Sequence, residues 1–126
     1  MPYFLQWSDD GLYRKFFGAL SGEEIATSNL ILHGDPRFDE LNYIINDFSD
    51  IDTLNISDTD ITLIANTDRI SELYNRAVKV AMVFNEPRLL TWVEKYFTEI
   101  GPGAFELRVF DDPQAARQWV GGSRPR

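Results

Sequence analysis

Strand-forming residues open the chain. Tyr3 to Trp7 and Leu12 to Phe17 flank Ser8-Asp9-Asp10-Gly11, and Asp-Gly is a strong short hairpin signal, so a β-hairpin is predicted first. Ser21 and Glu24 then fit a capping box, with Ile25, Ala26 and Leu30, joined by Ile31 or Leu32, on one helical face. Gly34 is placed to end that helix in a left-handed cap, before a connection at Asp35-Pro36-Arg37. Leu41 to Phe48 is a mostly continuous apolar run, which predicts a parallel strand covered on both faces. An acidic stretch follows and reads as a loop. Ser57 then caps a second helix, with Asp58 and Asp60 in its first turn and Ile61, Ile64, Ala65, Ile70, Leu73 and Tyr74 on its buried side.

Val78 to Phe84 predicts another strand. Asn85-Glu86-Pro87 starts a helix with proline in the first position, and Leu89, Leu90, Val93, Phe97 and Ile100 recur at helical spacing. Gly101-Pro102-Gly103 stops it. Ala104 to Phe110 is a strand with Phe105, Leu107 and Val109 on one face. Asp112 and Pro113 open a last helix that closes the core through Ala115, Ala116, Trp119 and Val120. Trp92 and Trp119 are read as packing residues. The order β-β-α-β-α-β-α-β-α defines an α/β fold: an antiparallel hairpin, then alternating helices and strands in a mixed, mostly parallel sheet. No repeat or linker divides residues 1–126, so one domain is expected, with 121–126 as a frayed tail.

Charge narrows the partners. The net charge is −8, and the cluster of Arg69, Arg76, Lys79 and Arg88 spans too much chain to form a basic patch, so no nucleic-acid binding is expected. No apolar run reaches the roughly 20 residues that span a bilayer, and the N-terminus lacks a signal-peptide pattern, so neither stable membrane insertion nor export is expected. With no cysteines, thiol chemistry is out, and a cytoplasmic location fits.

The acidic stretch is the candidate chemistry. Asp47, Asp50, Asp52, Asp58 and Asp60 could hold a hard cation, but the calcium-loop glycine is missing, and solvation with helix capping explains them better. Asp50-Ile51-Asp52 also suggests an Asp-dependent hydrolase, but its first Asp does not directly follow the apolar run and Leu54 stands where that pattern has Thr or Val. His33, the single histidine, reads as structural. Glu86 and Arg88 fall where open α/β sheets keep ligands, although a helix start accounts for them. The aromatic hairpin of Tyr3, Phe4, Trp7, Tyr13, Phe16 and Phe17 should leave one set of rings exposed, suited to a second copy of the chain or an apolar ligand.

Three segments carry a family resemblance: Ile45 to Ile51, Val80 to Phe84, and Val109 to Val120 with its acidic pair and Ala115-Ala116-x-x-Trp119 helix. With the element order, they resemble the SpoIIAA-like fold of STAS domains, found in anti-sigma-factor antagonists. That family follows its central strand with an Asp and a phosphorylatable Ser. Here Asn55 holds the Asp place and Ile56 the acceptor place, with Ser57 one position late. The resemblance therefore implies the broader SpoIIAA-like group without its usual switch. The expected function is non-enzymatic binding of a protein partner through Asp50, Asp52, Asn55, Ile56, Ser57, Asp58, Thr59 and Asp60, with no cofactor or metal. A homodimer is a further expectation. The alternative is an apolar small molecule or lipid between helices and hairpin, in a cavity lined by Phe4, Phe16, Leu63 or Phe97.

Overall fold

The computed structural model describes residues 3–71, 78–84, 86, 89–101 and 106–122. Among these residues, five strands form one sheet: β1 (Tyr3–Trp7), β2 (Gly11–Ser21), β3 (Tyr43–Asn55), β4 (Lys79–Val83) and β5 (Glu106–Phe110). The α-helices are α1 (Gly22–His33), α2 (Asp58–Ser71), α3 (Leu90–Ile100) and α4 (Pro113–Gly122), and a short 3₁₀ helix covers Pro36–Glu40. Strand order follows chain order, β1-β2-β3-β4-β5; β1 pairs antiparallel with β2 and every other pair is parallel.

This order decides where the helices go. Each parallel connection moves one strand in the same direction across the sheet. Right-handed crossovers of that kind put every connecting helix on one face. Accordingly α1, α2 and α3 share one core with the sheet, built on Phe16, Phe48, Ile25, Ile64, Trp92 and Val93. Among the described residues only α4 reaches the other face, where Ala116 and Val120 pack on Ile45, Ala81 and Val83. α4 packs on β3, β4 and β5. Towards the hairpin no described element covers that face, and there Phe4 and Phe17 are exposed with ring centroids 6.5 Å apart.

Several helix ends follow local chemistry. The Ser21 hydroxyl accepts from the Glu24 amide, and a Glu24 carboxylate oxygen accepts from the Ser21 amide, completing the expected box. Gly34 closes α1 by donating its amide to Leu30, but its φ is −85°, so the expected left-handed cap is replaced by a right-handed one. The ten-residue α4 takes in Gly121 and Gly122, which were expected in the tail; residues 123–126 lie outside the described residues, as do Leu73, Tyr74, Pro87, Arg88 and Phe105. Leu30, Ile31, Ile70, Leu90 and Phe97, expected inside, are exposed on the outer surface of the helical layer. Each helix there packs with one face only, and these five extend beyond it.

The largest departure is β3. It does not end at Phe48 but runs to Asn55, pairing with β2 as far as Ser21↔Asn55. The register shifts twice on the way. Between Lys15 and Phe17 the partner strand advances from Asp47 to Asp50, and between Gly18 and Ala19 it advances from Ile51 to Thr53. Each shift inserts one extra residue into β3, as in a bulge. Gly18, with φ +69°, supplies the left-handed backbone at the second shift. The insertions break the period-two pattern, which is why Ser49 to Asn55 reads as a loop. They also bring Ile51 and Leu54, three residues apart, onto the same core.

Candidate functional site

The residues expected to bind a partner straddle the end of β3 and the start of α2. Asp50 and Asp52 are exposed on the irregular half of the strand, and Asp50 forms a 2.6 Å ion pair with Lys15 of β2. That bond raises the Lys15 pKa. Asn55 ends β3, and Ile56 packs partly against the core. Ser57 and Asp60 cap α2 reciprocally: the Asp60 amide donates to the Ser57 hydroxyl at 3.0 Å, and the Ser57 amide donates to the Asp60 carboxylate at 3.0 Å. Asp58 and Thr59 are exposed in the same turn. An open groove runs beside this corner. Leu54, Ile56, Ile61, Leu89 and Trp92 supply its apolar surface, and Thr91, Asp58 and Lys95 its polar groups.

The aspartates of this stretch have separate duties. Asp47 is fully buried on the α4 side of the sheet. It accepts from the Tyr13 hydroxyl and from the Ser49 amide and hydroxyl. Burial and the bond to Asp47 push the Tyr13 pKa upward. Among the described residues no three His, Asp or Glu side chains gather as a metal site would need.

A second feature lies inside the molecule, between the sheet and the helices. A cavity of about 50 Å³ is lined by apolar side chains including Phe48, Ile64 and Met82, and by an unusual set of polar ones. Arg14 of β2 is only 3% exposed. Its Nε donates to Asn46 Oδ1 at 3.0 Å and its Nη1 to the Ser28 hydroxyl at 2.8 Å. Asp68 of α2 accepts from Asn29 at 3.1 Å and from the Tyr96 hydroxyl at 2.6 Å. His33 Nε2 stands 3.6 Å from Asp68. Among the described residues that line it, Asn29 and Trp92 each carry a polar atom, Oδ1 and Nε1, that is buried without a partner.

Burial governs the ionisation here. It lowers Arg14 to about 10, which leaves the guanidinium charged. It raises the Asp68 carboxyl to about 6, against the opposing pull of Tyr96, Arg14 and Asn29. It lowers His33 to about 4, with the Arg14 charge adding to the effect, so His33 is neutral at pH 7. At neutral pH the wall therefore carries one buried cation and one carboxylate that attract each other through space, each hydrogen-bonded to neutral groups.

The residues expected to line an apolar cavity do not meet. Phe16 is sealed in the core, Phe4 lies on the open sheet face, and Leu63 and Phe97 are exposed on the helical layer. The polar set was missed, although its positions follow the core periodicity. Arg14 alternates with Leu12 and Phe16, Asn46 with Ile44 and Phe48. Asn29 follows Ile25 by four residues, and Asp68 follows Ile61 and Ile64 by seven and four, so both fall on the buried helix faces. A polar residue in phase with the core was the available signal.

Comparison with known proteins addresses the fold. No protein-family profile matches the sequence, and no curated protein matches it. Solved structures do. The anti-sigma factor antagonist SpoIIAA in its unphosphorylated form superposes with a TM-score of 0.63 at 14% identity, covering 94% of this chain and 98% of that one. The phosphorylated form of the Bacillus cell-fate determinant SpoIIAA gives 0.60 at 14% identity, covering 93% and 98%. An uncharacterised protein with a SpoIIAA-like fold from Shewanella loihica PV-4 gives 0.57 at 19% identity, covering 94% and 91%. The fold is SpoIIAA-like, as the resemblance implied. No helix among the described residues is long and apolar enough to cross a membrane.

Proposed function

We propose that this chain is a non-enzymatic regulatory domain that binds a protein partner at the corner between β3 and α2. One observation carries the reading: an apolar groove formed by Leu54, Ile56, Ile61, Leu89 and Trp92 opens beside the acidic first turn of α2. It lies at the carboxyl end of a parallel strand, where open α/β sheets commonly place their sites. Leu54 and Ile56, both half-buried, hold the apolar atoms that a partner would cover, on a floor of buried Ile61, Leu89 and Trp92. The exposed Asp58 suits a partner that brings an apolar side chain flanked by a basic one. The regulatory sense comes from the fold, since one structural neighbour is an anti-sigma factor antagonist. Ser57 is committed to capping α2, so the docking surface does not depend on the phosphoacceptor pattern.

A pull-down from cells of the native organism tests the site, using wild type, Asp58→Lys and Glu106→Lys, whose substitution lies on β5. A partner held by wild type and Glu106→Lys and lost by Asp58→Lys supports the assignment. Identical partner sets for all three baits overturn it. The open sheet face bearing Phe4 and Phe17 is the surface best suited to a second copy of the chain. Sedimentation of wild type and Phe4→Glu checks that pairing, which requires a dimer in the first and a monomer in the second.

A further inference from the structure

We infer that the interior cavity is a binding site for a small organic anion that also carries a hydrogen-bond donor, a hydroxycarboxylate the size of glycolate. Three observations converge on it. The volume of about 50 Å³ is large for one water, which occupies roughly 10–15 Å³ by this measure, and holds about four such positions. Two of the lining residues carry a buried polar atom without a partner, one of each kind. Trp92 Nε1 is a buried donor and Asn29 Oδ1 a buried acceptor, each without a partner. Finally, the Arg14 guanidinium is buried and bonded to neutral oxygens of Asn46 and Ser28, while the Asp68 carboxylate is turned to Asn29 and Tyr96. Planar guanidinium groups in such surroundings match carboxylates well.

A small rotation of Trp92 and Asn29 brings these two atoms, which lie just behind the cavity surface, to a carboxylate held on Arg14 and to its hydroxyl. Water would satisfy the two unpartnered atoms but would bring no charge into contact with the guanidinium, which is bonded to neutral oxygens and feels Asp68 only through space. Access remains on the side of His33 and Asp68, whose side chains are 16% and 13% exposed. Among the described residues, the titratable and charged groups facing the site are Arg14, His33, Asp68 and Tyr96. Protonation of Asp68, whose carboxyl is raised to about 6 by burial, removes a negative charge that repels the ligand. Affinity should therefore increase as pH falls from 7 to 5, while glycolate itself stays ionised.

The test is a titration of the full chain, with tryptophan labelled by ¹⁵N, against glycolate, acetate and the neutral isostere glycolamide. The Trp92 indole signal is assigned by its loss in Trp92→Phe. Glycolate should move that signal to saturation, acetate more weakly, and glycolamide not at all. At about a hundredfold excess over Kd the melting temperature should rise by roughly 8 °C, and Arg14→Met should abolish both effects. A Trp92 signal that stays still, or follows glycolamide as readily as glycolate, overturns the proposal and leaves a water-filled cavity. The ligand panel needs no variant, so this result stands even if Arg14→Met fails to fold. Cavity and groove are tested by different readouts, and either can fail without the other.

Discussion

The two sides of the β3–α2 corner invert the usual arrangement of a globular domain. The outside presents an apolar groove whose rim is the half-buried Leu54 and Ile56 and whose floor is the outer edge of the core at Ile61, Leu89 and Trp92. The inside holds Arg14, Asn29, Asn46 and Asp68 around a cavity. The difference lies in what each group costs where it stands. Apolar atoms on a surface are common and cost little on their own, so only their concentration in a groove is informative. A guanidinium and a carboxylate in an interior each lose several kcal/mol of hydration, a loss their attraction need not recover. The interior set is therefore the more demanding feature, and substitutions should hurt it more than the groove.

The largest effect should come from Asp68→Ala. It removes the acceptor for Asn29 and Tyr96 and leaves Arg14 without its opposing charge. A loss of about 3 kcal/mol in urea unfolding is expected. A change under about 1 kcal/mol would show that Arg14 is compensated otherwise, and the contrast between the two sides would collapse.

Next is the pH dependence, in which two interior groups oppose each other. Asp68 is raised from 3.8 to about 6 in the fold. Its folded state keeps a proton that the unfolded state has released, so its contribution falls as pH rises from about 4 to 6. His33 is lowered from 6.5 to about 4. There the unfolded state binds the extra proton, so its contribution rises from about pH 4 to 6.5. The two slopes nearly cancel in the wild type. His33→Gln should lose stability with rising pH across this window, and Asp68→Asn should gain it, as melting curves at pH 4.5, 5.5 and 6.5 would show. Parallel curves for both variants would mean that the two groups do not titrate as described.

On the outside the effects shrink. Ser57→Ala removes the side-chain cap of α2 and should cost about 1 kcal/mol. Asp58→Lys reverses a charge at the favourable end of the helix dipole and should cost less than about 1 kcal/mol, while removing the partner in the pull-down. If Asp58→Lys destabilises the chain as much as Asp68→Ala, surface and interior are not distinct in the way described.

The same contrast explains what the sequence conveyed. The hairpin, the Ser21 box, the alternation of strands with helices and the SpoIIAA-like order were legible because local propensity and tertiary packing agree there. Ser57 was legible because its cap is made by its own neighbours. The second half of β3 was not, because its pairing depends on a left-handed Gly18 in another strand and on two inserted residues that erase the alternation. The cavity was hidden for another reason. Arg14, Asn29, Asn46 and Asp68 are far apart in the chain, and each looks like an ordinary surface residue until it is placed in phase with its apolar neighbours. Their meeting is a property of the crossover topology, which no single segment contains.

Trp92 belongs to both the cavity and the groove, and its ring meets Phe48 edge-on at 5.9 Å. A wall common to two compartments links their occupancies. Any shift of the ring that suits one occupant changes the surface offered to the other. The coupling free energy is then reciprocal: whatever factor a cavity ligand applies to partner affinity, the partner applies to the ligand. With both compartments occupied as proposed, Trp92 would be the shared wall through which the level of a small anion is read at the surface.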